Sequence, residues 1–149
     1  MISKTQNLKI ATILPYKENY SFDYASAASL WVAEFFKKSK FKKNCFIYGN
    51  TKSKNYLTKN YKNINLNNLD SKLKSSTKEY SLKLIKEIND KTYDLVEIHN
   101  RPLVLFNLIN RIESKLVFYF HNDPLSMKGS KSTSERLLIL KNVDKIIFV

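Results

Sequence analysis

The chain is 149 residues long, with 26 Lys+Arg against 13 Asp+Glu, a net charge of +13 and a hydrophobic share of 43%. That length suits one domain, and that apolar content fills a real core, which excludes wholesale disorder. No apolar run reaches the ~18 residues of a membrane-spanning helix, residues 1–7 lack the apolar block of a secretory signal, and the lone Cys45 makes neither an internal disulfide nor, by itself, a structural zinc site. These counts predict a soluble intracellular domain.

Short apolar runs alternate with helical patterns along the chain. Lys9 to Leu14 is β-branched and stops at Pro15, which reads as a buried strand. Tyr16 to Tyr24 reads as a loop. From Ala25 the pattern is helical: Ala27, Trp31 and Phe35 share one stripe, and Ala28, Val32 and Phe36 share the next. Trp31 and Phe35 read as core. Lys37 and Lys38 close this helix, where cations suit the dipole. Cys45 to Tyr48 is the second strand, ended by Gly49-Asn50, with Cys45 buried and inert. A short edge strand falls within Tyr61 to Leu66. Ser76 to Glu79 has the form of a capping box, ahead of a helix presenting Tyr80, Leu84, Ile85 and Ile88. Asp94 to His99 is a strand, and Pro102 opens a helix with Leu105, Ile109 and Ile112 inward. Leu116 to Phe120 is the most apolar strand. A polar loop, His121 to Lys131, leads to a second capping box at Ser132 to Glu135. Leu137, Leu138 and Leu140 follow, and Asp144 to Val149 is a further strand.

Alternating strands and helices predict an α/β fold: a Rossmann-like parallel sheet flanked by helices on both faces. Ligands in such sheets sit outside the carboxyl ends of the strands. That rule selects Tyr16 and Lys17, His99, Asn100 and Arg101, and His121, Asn122 and Asp123. Each has two readings. The histidines either hydrogen-bond a neighbouring backbone at a strand end or form a working edge together, and their joint placement favours the second. Arg101 either grips an anion in two-pronged fashion or is a solvated charge. Asp123-Pro124 is equally a turn opener. Tyr16, Tyr20, Phe22 and Tyr24 either stack on a sugar or pack their loop. A zinc site from the two histidines and Asp123 lacks a supporting spacing motif, so no metal is expected. With Gly49 and Gly129 the only glycines, there is no G-x-G-x-x-G, no P-loop and no G-x-S-x-G elbow. Arginine is confined to Arg101, Arg111 and Arg136, and the lysines are scattered. Sequence-specific nucleic-acid readout is therefore disfavoured. Weak attraction to an anionic bilayer, about 1 kcal/mol per nearby lysine, fits better.

The runs Tyr93 to Pro102, Lys115 to Leu125 and Asn142 to Val149 resemble the fourth, fifth and sixth strands of the N-terminal domain of GT-B glycosyltransferases. More narrowly, the chain is similar to the retaining, nucleotide-sugar-dependent family 4 of bacterial glycosyltransferases. Ile13 to Tyr16 and the helix Ala25 to Phe36 fit that family's first βα unit. One departure stands out: Lys17 to Ala27 contains no glycine, where the family's first loop usually has them.

The resemblance implies that residues 1–149 are the acceptor-side half of a two-domain enzyme, cut within the sixth strand, with the donor-binding domain absent. The whole would move a sugar from a nucleotide-sugar donor to a hydroxyl of a glycan or glycolipid acceptor, with retention. Envelope polysaccharide or glycolipid synthesis is the implied setting, at the cytoplasmic face of the membrane. No cofactor or metal is implied beyond the donor substrate. His121 takes the place of the histidine that faces the transferred sugar, acting by hydrogen bonding, not proton abstraction. Asn122 and Asp123 shape its loop, and His99 and Asn100 line the acceptor side. The alternatives are a non-catalytic α/β binding module and a basic nucleic-acid-binding domain.

Overall fold

A computed structural model describes residues 7–66 and 75–149. Six strands form one sheet: β1 Ile10–Ile13, β2 Cys45–Gly49, β3 Tyr61–Asn63, β4 Leu95–His99, β5 Lys115–Phe120 and β6 Lys145–Phe148. Four helices connect them: α1 Ala27–Lys38, α2 Ser76–Lys91, α3 Pro102–Leu108 and α4 Thr133–Asn142. The strand order is β3-β2-β1-β4-β5-β6, and every neighbouring pair is parallel. The chain is thus an α/β protein of Rossmann-like arrangement, as its pattern predicts. β1 lies between β2 and β4, so the chain leaves its end in one direction and returns on the other side. That reversal opens a crevice at the carboxyl edge.

Strand alternation divides the side chains between two faces. On one face Ala11, Ile13, Tyr48, Val96, Ile98, Leu116, Phe118 and Phe120 meet α2, α3 and α4 through residues such as Leu84, Ile88, Leu105, Leu108 and Ile139. On the other, α1 is the one helix among the described residues that packs down, bringing Val32 and Ala33 onto Ile47 and Leu14 beside Tyr20, Leu57 and Tyr61. Helices lie on both faces, but unequally. β6 pairs with β5 alone and forms an outer edge, and Phe148 there is 69% exposed.

Local differences from the sequence reading have physical causes. The serine doublet before α2 lets Ser75, not Ser76, act as N-cap, its Oγ accepting from Lys78 N at 3.4 Å. Glu79 is then one residue too far on to reach back, and it pairs with Lys83 at 3.1 Å. At α4 the box forms as expected: Ser132 Oγ accepts from Glu135 N, and the Glu135 carboxylate accepts from Ser132 N. Helix α3 stops at Leu108. Asn110 takes a left-handed φ of 61°, so Ile109 and Ile112 pack partly buried from outside the helix. Phe35 is not core; it is 53% exposed, and the buried stripe of α1 is Ala28, Ser29, Val32 and Ala33. Leu137, Leu138 and Leu140 face outward, since α4 buries only Ile139.

Candidate functional site

The site begins with strand register. His99 on β4 is paired with Tyr119 on β5. His121 follows Tyr119 by two residues, so alternation turns it to the same face. Both rings therefore meet at the carboxyl edge: His99 Nδ1 and His121 Nε2 are 2.8 Å apart, a hydrogen bond. One nitrogen must hold a proton and the other a lone pair, so the bond requires at least one neutral ring. Burial supplies that condition. His99 is 1% exposed, and burial, aided by the neighbouring His121, holds its pKa well below the usual histidine range. Burial lowers His121 too, against the opposing pull of Glu18.

Aromatic rings pack the pair. His99 stacks on Tyr119 with centroids 4.4 Å apart and planes 7° from parallel. Trp31 reaches across from α1 and stands 6.0 Å from His99, 5.8 Å from Tyr119 and, edge-on, 5.3 Å from His121. Phe35 stacks on the outer face of Trp31 at 5.3 Å. Beneath the histidines sits Glu97, whose carboxylate accepts from Thr12 Oγ1 at 2.8 Å and from Tyr119 Oη at 3.3 Å. Burial outweighs those two bonds and raises its pKa. The Cys45 thiol, also buried, is pushed up to about 11, which keeps it an unreactive neutral thiol.

Asn100 serves the backbone. It holds a left-handed φ of 56°, and its Oδ1 accepts from His121 N at 3.0 Å, fixing where the β5 loop starts. The Arg101 guanidinium lies over the Tyr16 ring at 5.4 Å, a cation–π contact that matches neither sequence reading of that arginine. Tyr16 is held in turn by Asn50, whose side-chain amide donates to Tyr16 O at 3.1 Å. Lys17 and Asn122 are exposed. Asp123 is exposed as well, and its carboxylate accepts from Leu125 N at 2.9 Å, opening the short 3-10 turn Pro124–Ser126. Tyr20 packs its own loop, buried and stacked on Tyr61 at 4.8 Å, whereas Phe22 and Tyr24 are exposed.

The edge residues therefore form two groups. One is His99, Asn100 and His121; the other is Tyr16 with Arg101. Trp31, Glu97 and Thr12 join the first group without having been singled out in the sequence. Glu97 carried a signal, a carboxylate inside a strand of otherwise apolar residues. Trp31 carried none, since its helical stripe reads equally as core.

Between α1 and the β1–β2–β4 face runs a groove of about 540 Å³, with Glu97 and His99 in its wall. Among the described residues, no three His, Cys, Asp or Glu side chains are grouped to hold a metal ion, and no helix is long and apolar enough to cross a membrane. No protein-family model matches this chain, and no curated protein matches it.

Proposed function

We propose that this chain is the acceptor-side lobe of a sugar-transferring enzyme of the GT-B kind, acting on a nucleotide-sugar donor and an acceptor hydroxyl with retention. The observation that carries the reading is the contact of His99 with His121 at the carboxyl edge, beside the point where strand order reverses. Open parallel sheets place ligands in that position. The runs flanking the two histidines are those that resemble the family's fourth and fifth strands.

In this reading the neutral imidazole of His121 hydrogen-bonds a hydroxyl of the transferred sugar. It is half-buried and already tied to His99 at 2.8 Å, so its orientation is set before substrate arrives. Such preorganised donors stabilise charge that develops in the transition state. Asn100 positions His121 through its backbone N–H. The Tyr16–Arg101 pair offers a flat aromatic face with a cation behind it, suited to the acceptor. The donor-binding lobe is contributed from outside these 149 residues, in envelope polysaccharide or glycolipid synthesis at an anionic membrane surface.

The test is nucleoside diphosphate release from a panel of UDP- and GDP-hexoses by the complete gene product. One donor is expected to turn over, and His121→Ala to slow it by about 100-fold or more, the usual cost of losing an oriented donor. Turnover unchanged in that variant removes His121 from the site. No turnover with any donor favours a non-catalytic binding module.

A further inference from the structure

The groove beneath α1 measures about 540 Å³, within the range that takes small organic ligands. Its walls are apolar, chiefly Ile10, Val32, Phe35, Phe36 and Ile47. Lys38, Ser39 and Lys40 contribute polar side chains to its lining, and so do Thr12, Cys45, Glu97 and His99. Among the last four, hydrogen bonding separates His99 from the rest. Thr12, Cys45 and Glu97 satisfy one another, Thr12 Oγ1 lying 2.8 Å from Glu97 Oε2 and 3.6 Å from Cys45 Sγ. His99 differs. Its Nδ1 is engaged by His121, while its Nε2 is buried with no partner among the described residues. Ser29 Oγ is the other such atom, and Ser29 does not line the groove. A buried polar atom without a partner is a standing penalty that a ligand group can remove.

We propose that this groove binds an alcohol with an extended apolar body, its hydroxyl on His99 Nε2 and its hydrocarbon under α1. The His99–His121 bond can place its proton on either ring, leaving His99 Nε2 as a bare acceptor or as an N–H donor. A hydroxyl both donates and accepts, so it fits each case, whereas a carboxylate only accepts and an ammonium only donates. A charged head buried against His99, itself 1% exposed, also carries a desolvation cost. The run from Leu95 to His99 spans about 13 Å at the usual strand rise, which suits a linear chain such as decanol. Trp31, also in the lining, stands 6.0 Å from the His99 ring. The groove shares His99 with the proposed sugar-transfer site, but the binding needs no nucleotide sugar, so decanol affinity and sugar turnover test the two readings separately.

Trp31 is the only tryptophan, so its emission reports on the groove directly. Decanol titrated into the full chain is expected to change that emission saturably and to shift the His99 Nε2 nitrogen resonance. His99→Phe should weaken decanol by about tenfold, the upper end of one hydrogen bond's worth. If that variant does not fold, the nitrogen shift in the unsubstituted chain decides the matter. The proposal is overturned by no saturable change up to the solubility limit of decanol. It is equally overturned by saturation that leaves His99 Nε2 unmoved, by undiminished affinity in folded His99→Phe, or by tighter binding of decanoate than of decanol.

Discussion

Two buried ionisable side chains on one sheet face give this protein opposite responses to pH. His99 is held well below its ordinary pKa by burial. The unfolded chain takes up that proton near pH ~6.5, before the folded chain does. Its contribution to stability is therefore complete above ~6.5 and is lost as pH falls toward the lowered folded value. Glu97 runs the other way, since burial raises its pKa. The unfolded carboxyl releases its proton near ~4.3, so the stability that Glu97 confers is complete below that point. It is lost as pH rises through the raised folded value. The two slopes oppose each other, so urea unfolding across pH separates them only when each variant is compared with the unsubstituted chain. His99→Phe should remove the slope along which stability rises with pH up to ~6.5, and Glu97→Gln the slope along which it falls above ~4.3; slopes that persist in both variants would assign them to other groups. The same burial explains why the pair was only half legible in the sequence. Position after two strands located the imidazoles, but nothing in residue order showed that β4 and β5 are neighbours in a register bringing them within 2.8 Å.

At the scale of elements, helix starts are decided by one residue. Ser75 caps α2 and Ser76 is already helical. Ser75→Ala is expected to cost about 1 kcal/mol, whereas Ser76→Ala should be nearly neutral; denaturant midpoints of the two variants test the assignment. A reversed order would restore the capping box at Ser76. The hydrophobic period was sufficient to place α2, because its buried face of Tyr80, Leu84 and Ile88 is long and unbroken. It placed α1 too, but not the roles along its stripes, because Ala28 and Trp31 are both apolar but do different things. Small residues let the helix axis lie close to Ile47, while the indole leans over the strand ends. Periodicity records that a stripe is apolar, not which part of it meets sheet and which part meets a ligand edge. Helix α3 ended early for a similar reason: Ile109 and Ile112 continue an apolar pattern through a turn in which Asn110 has already left helical φ.

For the whole molecule, net charge and sheet topology are the controlling features. A charge of +13 carried mostly by scattered lysines predicts loose, salt-sensitive adhesion to anionic bilayers. Cosedimentation with phosphatidylserine vesicles is expected at ~0.01 M salt and should be largely lost at ~0.15 M, as the Debye length falls from roughly 30 to 8 Å. Retention at the higher salt would point to apolar insertion instead, and the exposed Phe22 and Tyr24 would be its first candidates. That the sheet is parallel was readable, because short β-branched runs alternating with helices admit few other arrangements, but its strand order was not. Nor was its imbalance: a chain pattern does not say that, among the described residues, three helices crowd one face and a single helix tends the other. The outer strand carries a last consequence. Among the described residues, the side of β6 away from β5 carries no neighbouring strand, and Phe148 there stacks on Phe120 with its other parts exposed. Such a rail is a template for another copy of itself. A polypeptide of residues 1–149 by itself should cloud with time at high concentration as molecules zip flank to flank, and Ile147→Lys should keep it clear by light scattering.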